Sequence, residues 1–325
     1  KINMFKWGII GTGGIARAFA DDITNLGNHK VCAVLSRNIE TADKFSHSIN
    51  DCLGYDDQHA FLNDDNIDAV YVATPNTLHC DQTISALKSN KPTLCEKPFS
   101  MNADEAHLMI QASKKFSTTL LDGMWMRYLP HILRLKEILN EGHIGDMQSI
   151  YACHGQNLQW SKNPRLWTKE LGGGALLDLG IYVVSFCHMI LGMPEKLISH
   201  SVFTDKNIDA KTTMIFQYKN DIIANLSCSM FDSQPNRAVI SGTKGYIELE
   251  PTFYAPTEMK LFTNNGEVIH YKNEYKGHGL REQAIEMEHC VKNNLIESSK
   301  MPHHDTLEVI KIMDEVRAKI GLTFK

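Results

Sequence analysis

Along the first 125 residues, short apolar runs alternate with stretches of helical period. Residues 7–10, 31–35, 69–73, 93–95 and 119–121 read as strands. The 69–73 run is continuously apolar, as a strand covered on both faces should be. Asn102 precedes one helical stretch and can cap it, with Glu105 reaching back. This alternation predicts an α/β unit with a doubly wound parallel sheet. From about Tyr128 the pattern changes. Tyr128, Ile132, Leu135 and Leu139 follow helical spacing, 146–154 reads as a strand, and 174–191 as a second helix. After Lys196 the periodicity becomes two. Ile222, Ala224, Leu226, Cys228 and Met230 face one way, and Ile223, Asn225, Ser227 and Ser229 the other. Turn signals at 242–245 and Asn265-Gly266 separate such strands, and the last 50 residues return to helical patterns. The expected division is 4–125 for the parallel unit and 126–325 for an α+β domain with an open, mainly antiparallel sheet.

A length of 325 residues suits two domains. The net charge of −5 leaves no electrostatic footprint for nucleic acid or for an anionic membrane surface. No apolar run is expected to reach the ~18 residues of a membrane helix. Strand-like sequence begins at once after Lys1–Lys6, without the apolar region of a signal peptide. The eight cysteines are scattered and form no C-x-x-C pair, which reads as buried thiols in a reducing compartment and places the protein in the cytoplasm.

The candidate chemistry starts at Gly11-Thr12-Gly13-Gly14-Ile15-Ala16, between the first strand and a helix. It fits G-x-G-x-x-A: a tight turn, a backbone open to a pyrophosphate, and a small residue for helix–strand packing, with helix amides for the anion. This is the signature of a Rossmann dinucleotide-binding unit. The second strand ends in Ser36-Arg37, with no acid from Asn28 to Ile39. A hydroxyl and a guanidinium suit a 2′-phosphate, which favours NADP, although a solvated Arg37 would leave NAD equally acceptable. Two further turns follow strands on the ligand side of such a sheet. They are Thr74-Pro75-Asn76-Thr77-Leu78-His79 and Glu96-Lys97-Pro98.

In this order and spacing, G-x-G-G-I-A, A-T-P-N-x-x-H and C-E-K-P closely resemble the glucose–fructose oxidoreductase / inositol dehydrogenase family (Gfo/Idh/MocA). The resemblance extends over nearly the whole chain, through 172–182 (a substrate-site helix) and 241–247 (a second-domain turn). It implies that Lys97 is the active-site lysine, flanked by Glu96 and Pro98 in a turn that also meets the cofactor. Asp178 matches a substrate-site aspartate. Where most of the family has a histidine as acid/base, this chain has Tyr182. Tyrosine there resembles the branch holding dimeric dihydrodiol dehydrogenase, NADP-dependent xylose dehydrogenase and glucose–fructose oxidoreductase, as do Asn163-Pro164-Arg165 and Trp125-Met126-Arg127-Tyr128. Asp122-Gly123 departs from the frequent Glu-Ala.

The residue types fit hydride chemistry by themselves. Oxidising a carbinol requires removal of its proton, and a lysine ammonium near Tyr182 would favour the phenolate. Asp178 and Tyr182, four apart, would share a helix face, so Asp178 could bind a substrate hydroxyl or orient Tyr182. The plainer readings are a core tyrosine, a structural acid at 178, a lysine that only positions the cofactor, and a structural or cofactor-side His79. His303-His304 reads as a surface helix start and not as a metal site.

The leading reading is an NADP-dependent dehydrogenase of an aldopyranose or trans-dihydrodiol. The alternatives are a reductase of a keto-sugar or cyclic ketone, a non-catalytic NADP sensor, and a tightly bound cofactor shuttling between sugars. Retention of Lys97, Asp178 and Tyr182 favours an enzyme, and the start of the chain close to its first strand favours an exchanging cofactor. An open sheet face, like the resemblance itself, implies a homodimer or a dimer of dimers.

Overall fold

The computed structural model describes residues 4–159, 161–162 and 164–324. Lys1 and Asn163, named above, lie outside them. The chain forms two compact units, 1–125 with 277–307, and 126–276 with 308–325.

The first unit carries β1 (Phe5–Ile10), α1 (Gly14–Ile23), β2 (His29–Leu35), α2 (Ile39–Ser46), β3 (Leu53–Tyr55), α3 (Gln58–Leu62), β4 (Ala69–Val72), α4 (His79–Lys88), β5 (Thr93–Glu96), α5 (Ala103–Phe116) and β6 (Leu120–Gly123). The six strands are parallel in the order β3-β2-β1-β4-β5-β6, the doubly wound order whose switch point lies between β1 and β4. β3 has no counterpart among the expected strands. Leu-Gly-Tyr is too short and too exposed to show a period. α1 buries Ala16, Phe19, Ala20 and Ile23, the i, i+3, i+4, i+7 stripe that packs on the sheet. The expected cap of α5 is present: Asn102 accepts from the Glu105 amide at 2.9 Å, and Glu105 accepts from the Met101 amide at 3.0 Å.

The second unit carries α6 (Pro130–Asn140), β7 (Met147–Gly155), α7 (Ile181–Leu191), β8 (Lys196–Phe203), β9 (Asp209–Gln217), β10 (Ile223–Ser229), β11 (Ala238–Gly242), β12 (Gly245–Leu249), β13 (Met259–Thr263) and β14 (Val268–Tyr271). Its sheet runs β14-β13-β12-β11-β7-β10-β9-β8 and is antiparallel except for the β10–β7 pair. In β10, Ala224, Leu226 and Cys228 are buried, while Ile223 and Asn225 are exposed, as the alternation predicts; Ser229, expected to face outward, is buried at the end of the strand. On the open face one register row joins Tyr151, Asn225, Ile215 and Ile198 across four strands, with Ile198 70% exposed.

α8 (Arg281–Lys292) lies in the first unit, and α9 (His303–Ile320) begins there and ends in the second. The sequence pattern predicts a second domain running unbroken from 126 to 325. Polar anchors explain why 277–307 pack instead with the parallel sheet. Buried Asp22 accepts from the amides of His278, Gly279 and Arg281 at 3.0–3.1 Å. His29 meets Glu288 at 3.1 Å, and the Leu120 amide donates to Ile296.

Two other expectations are corrected. The stretch Lys169–Leu191 is long and apolar enough to span a membrane, with mean hydropathy 1.8 over its best window. That window is 78% buried, the property of a core helix in its own unit. The second correction concerns the histidine pair. His303 is buried, facing the Leu120 carbonyl at 2.8 Å, and only His304 is on the surface. Among the described residues no His/Cys/Asp/Glu group is placed to hold a metal, and all eight cysteines are free, seven of them buried.

Candidate active site

In the first unit the backbone builds the site. β1 ends at Ile10 and α1 opens at Gly14, so Gly11, Thr12 and Gly13 form the turn between them. Gly11 has φ +112° and a Cβ there would meet the Ala73 carbonyl at 2.5 Å, so no other residue fits. At Gly13 and Gly14 a Cβ would meet nothing within 4 Å. The protein leaves open space at the start of a helix, as a pyrophosphate on the α1 amides requires. Ile15 is exposed, and Ala16 is fully buried against the sheet. Ser36 donates its amide to the Tyr55 carbonyl, which holds the end of β2. Arg37 follows, exposed and without a partner among the described residues. The dinucleotide therefore fits Gly11–Ala16 for its diphosphate and Ser36-Arg37 for a 2′-phosphate.

His79 is fully buried between the other two turns. Its Nδ1 faces the Pro98 carbonyl and its Nε2 the Thr74 carbonyl, both at 2.9 Å. It ties Thr74-Pro75-Asn76 to Glu96-Lys97-Pro98, so its role is to set the spacing of these loops. Glu96 is buried. The Tyr71 hydroxyl donates to it, and the Lys97 amide donates at 3.2 Å. Burial pushes its carboxyl up to about 7, against the pull of Tyr71 and Lys97. Lys97 is half-buried, and the Lys97–Pro98 peptide is cis. The Asp122-Gly123 departure has a backbone reason, since a Cβ at Gly123 would meet the Cys95 carbonyl at 2.7 Å. Trp125 is nearly buried at the end of the 1–125 segment.

In the second unit side chains build the site. A pocket of about 370 Å³ is lined by Gln156, Leu158, Lys162, Arg165, Asp178 and Leu179, with Pro164 and Leu166. Arg165 donates to Asp178 at 2.8 Å, and its second terminal nitrogen has no partner among the described residues. The expected helix 174–191 is broken in character. Leu176–Gly180 is a π-helical turn, and α7 begins at Ile181. Asp178 and Tyr182 therefore do not stack at ordinary i, i+4 positions, because the turn between them is wound i→i+5. The glycines before it allow close packing. A Cβ at Gly173 would meet the Leu166 carbonyl at 2.5 Å, and Gly174 has φ +118°.

Tyr182, 5% exposed, lies in an aromatic cluster. The His154 ring is 5.3 Å away edge-on and Tyr254 is 4.7 Å away, while His154 and Tyr254 stack at 4.0 Å. The Gln156 amide nitrogen bridges His154 Nε2 at 2.9 Å and the Tyr254 hydroxyl at 3.2 Å. Burial raises the Tyr254 hydroxyl above its usual value, and the nearby Asp178 charge adds to this. His154, Gln156 and Tyr254 were absent from the sequence reading. His154 lies next to the end of β7, Gln156 follows that strand and Tyr254 sits in the loop after β12, and none of the three positions has a motif. Arg127, read from sequence as a substrate residue, is buried and spans α7. It donates to the Ser185 hydroxyl and carbonyl at 3.0–3.1 Å and meets His188 at 3.1 Å. It braces the helix that carries Tyr182 and is not among the pocket-lining residues.

Residues 5–123 match the family described as oxidoreductase family, NAD-binding Rossmann fold, and 132–248 match the GFO/IDH/MocA C-terminal domain. The chain belongs to the Gfo/Idh/MocA oxidoreductase family. Its curated relatives in that family include trans-1,2-dihydrobenzene-1,2-diol dehydrogenases. The protein of that name from Xenopus tropicalis is 32% identical, with 98% of this chain and 99% of that one covered. The one from Mus musculus is 31% identical, with 98% of each covered. Among solved structures, a 3-ketoreductase from Actinomadura kijaniata in complex with NADP and TDP-benzene superposes with a TM-score of 0.86 at 22% identity, over 98% of each chain. An aldose-aldose oxidoreductase from Caulobacter crescentus complexed with glycerol gives 0.85 at 21%, also over 98% of each. These structural likenesses establish the shared fold of both units. The Gfo/Idh/MocA assignment makes the protein an oxidoreductase with a nicotinamide dinucleotide site.

Proposed function

We propose that this oxidoreductase is an NADP-dependent dehydrogenase acting on a carbinol carbon of a cyclic polyol, either a trans-dihydrodiol or an aldopyranose. The observation that carries the reading is the Asp178–Arg165 pair in a pocket of about 370 Å³. A carboxylate accepts from ring hydroxyls, and the free guanidinium nitrogen donates to a ring oxygen. Relatives named for a trans-diol over nearly the full chain support the same class.

The bound dinucleotide supplies the hydride acceptor. The protein's residues do the rest. Gly11–Ala16 and Ser36-Arg37 bind the dinucleotide, with the turns Thr74-Pro75-Asn76 and Glu96-Lys97-Pro98 beside it and His79 between them. Arg37, exposed at the end of β2, gives the preference for the 2′-phosphate. Asp178 and Arg165 hold the diol. The Tyr182 hydroxyl takes the carbinol proton, and in the reverse direction returns it to the carbonyl oxygen. Lys97, in the turn beside the dinucleotide, is the lysine of the same reaction. The exposed Tyr151, Ile215 and Ile198 on the open face of the second sheet form the surface for a homodimer.

The reading assigns Lys97 and Tyr182 to one reaction, so their effects must overlap. Lys97→Met and Tyr182→Phe should each lose most of kcat, with the double variant little worse than either. Losses that multiply would separate the two residues and remove Lys97 from proton transfer.

A further inference from the structure

Asp209 opens β9 and is fully buried. Its Oδ2 accepts from the Leu176 amide at 2.6 Å, at the head of the π turn. Ala175, which caps that turn, has no side-chain oxygen to offer, so the cap comes from another element. Oδ1 faces Gly174, where a Cβ would come within 2.1 Å. The carboxylate thus sits against the amide end of the segment that bears Asp178 and, in its next turn, Tyr182.

We infer that Asp209 is a positioning residue for the proposed reaction: its charged carboxylate pins the head of the site helix and so sets the alignment of Asp178 and Tyr182. This rests on the dehydrogenase reading. A negative charge at a helix N-terminus is favoured by the dipole and makes the stronger, charge-assisted hydrogen bond. The protonated acid loses both gains and slackens the turn.

Burial pushes the Asp209 carboxyl up to about 7, while the Leu176 amide first, and the nearby Thr212 hydroxyl and Ala175 amide, favour the charged form; Oδ1 itself has no hydrogen-bond partner among the described residues. The surrounding elements leave few titratable neighbours. β10 contributes the buried Cys228 thiol, raised by burial and by Asp209 itself. β8 contributes Ser201, on Thr212 at 3.0 Å. On β9 the ammonium of Lys211 is turned to Asp232 at 3.4 Å. The 172–175 turn carries no ionisable side chain.

The test is the pH profile of kcat on the purified full chain. Wild type should lose kcat ~10-fold between pH 8 and pH 6 through the Asp209 ionisation. Asp209→Asn keeps an acceptor for Leu176 and should lose this limb, falling less than ~2-fold. Retention of the limb in Asp209→Asn, or its absence in wild type, overturns the inference. Should Asp209→Asn fail to fold, Thr212→Val decides. Removing the hydroxyl that favours the carboxylate should move the limb to higher pH, and an unmoved limb overturns the inference. Failure of the dehydrogenase reading is recognisable separately as no turnover by wild type on any polyol. In that case the Leu176 amide, followed by NMR, should still titrate near neutral pH in wild type, and an amide that stays fixed overturns the inference.

Discussion

The two units make their sites from different materials. In the first, the ligand surface is backbone: a turn with φ +112°, two glycines facing open space, and loops tied by a buried histidine. In the second it is side chain: an ion pair, an aromatic cluster and a π-wound turn. Backbone recognition of a diphosphate has few solutions, and each demands particular small residues. Side-chain recognition of a polyol can be assembled from any elements that bring polar atoms together. On the proposed function, the first unit binds a cofactor common to many reactions, and the second sets what is oxidised.

Substitutions can break or sharpen this contrast. The largest effect is expected at Tyr182. Tyr182→Phe removes one oxygen and should lower kcat ~10²-fold or more with NADPH affinity unchanged, as followed by fluorescence titration. An unchanged kcat would remove Tyr182 from proton transfer. The glycine pair comes next. Gly11→Ala should lose stability by ~2 kcal/mol or more, because both its φ and its neighbour forbid a Cβ. Gly13→Ala meets no protein atom, so its melting temperature should be unchanged while the Kd for NADP rises ~10-fold or more. If Gly13→Ala binds normally, the open space there does not hold the diphosphate. Arg37→Gln should raise the KM for NADP ~10-fold and leave that for NAD unaltered. Equal effects on both would make Arg37 a solvated surface residue.

The smallest effect concerns pH. The carboxyl of Glu96 is raised when folded, so it favours the fold at acid pH, and this contribution is lost as pH rises from about 4.5 to about 7. The stability advantage of wild type over Glu96→Gln, measured by chemical denaturation, should shrink between pH 5 and pH 8. A widening gap would show that Tyr71 and Lys97 dominate over burial.

The same contrast decides what could be read from sequence. Five of six parallel strands, the phosphate turn and the cap at Asn102 were legible because each leaves a local pattern of period, glycine or capping oxygen. β3 was not, since three half-exposed residues carry no period. In the second unit, β7 and the alternation of β10 were legible, and Asp178 and Tyr182 were marked by the family motif. The winding between them was not, because a π turn depends on what packs against it. Here that is Asp209 under the Leu176 amide and Cys228 against Gly180. His154, Gln156 and Tyr254 meet through sheet register and a long loop, and no spacing in the chain announces them. Arg127 shows the converse. Its motif was legible, yet its contacts are with Ser185 and His188, which only the fold brings together.

The central claim is most directly tested by following NADPH formation with trans-dihydrodiols, aldopyranoses and inositols, each offered with NADP and with NAD. Turnover of a dihydrodiol or an aldopyranose is expected, faster with NADP and lost in Tyr182→Phe. Binding of NADP without turnover of any cyclic polyol would contradict it.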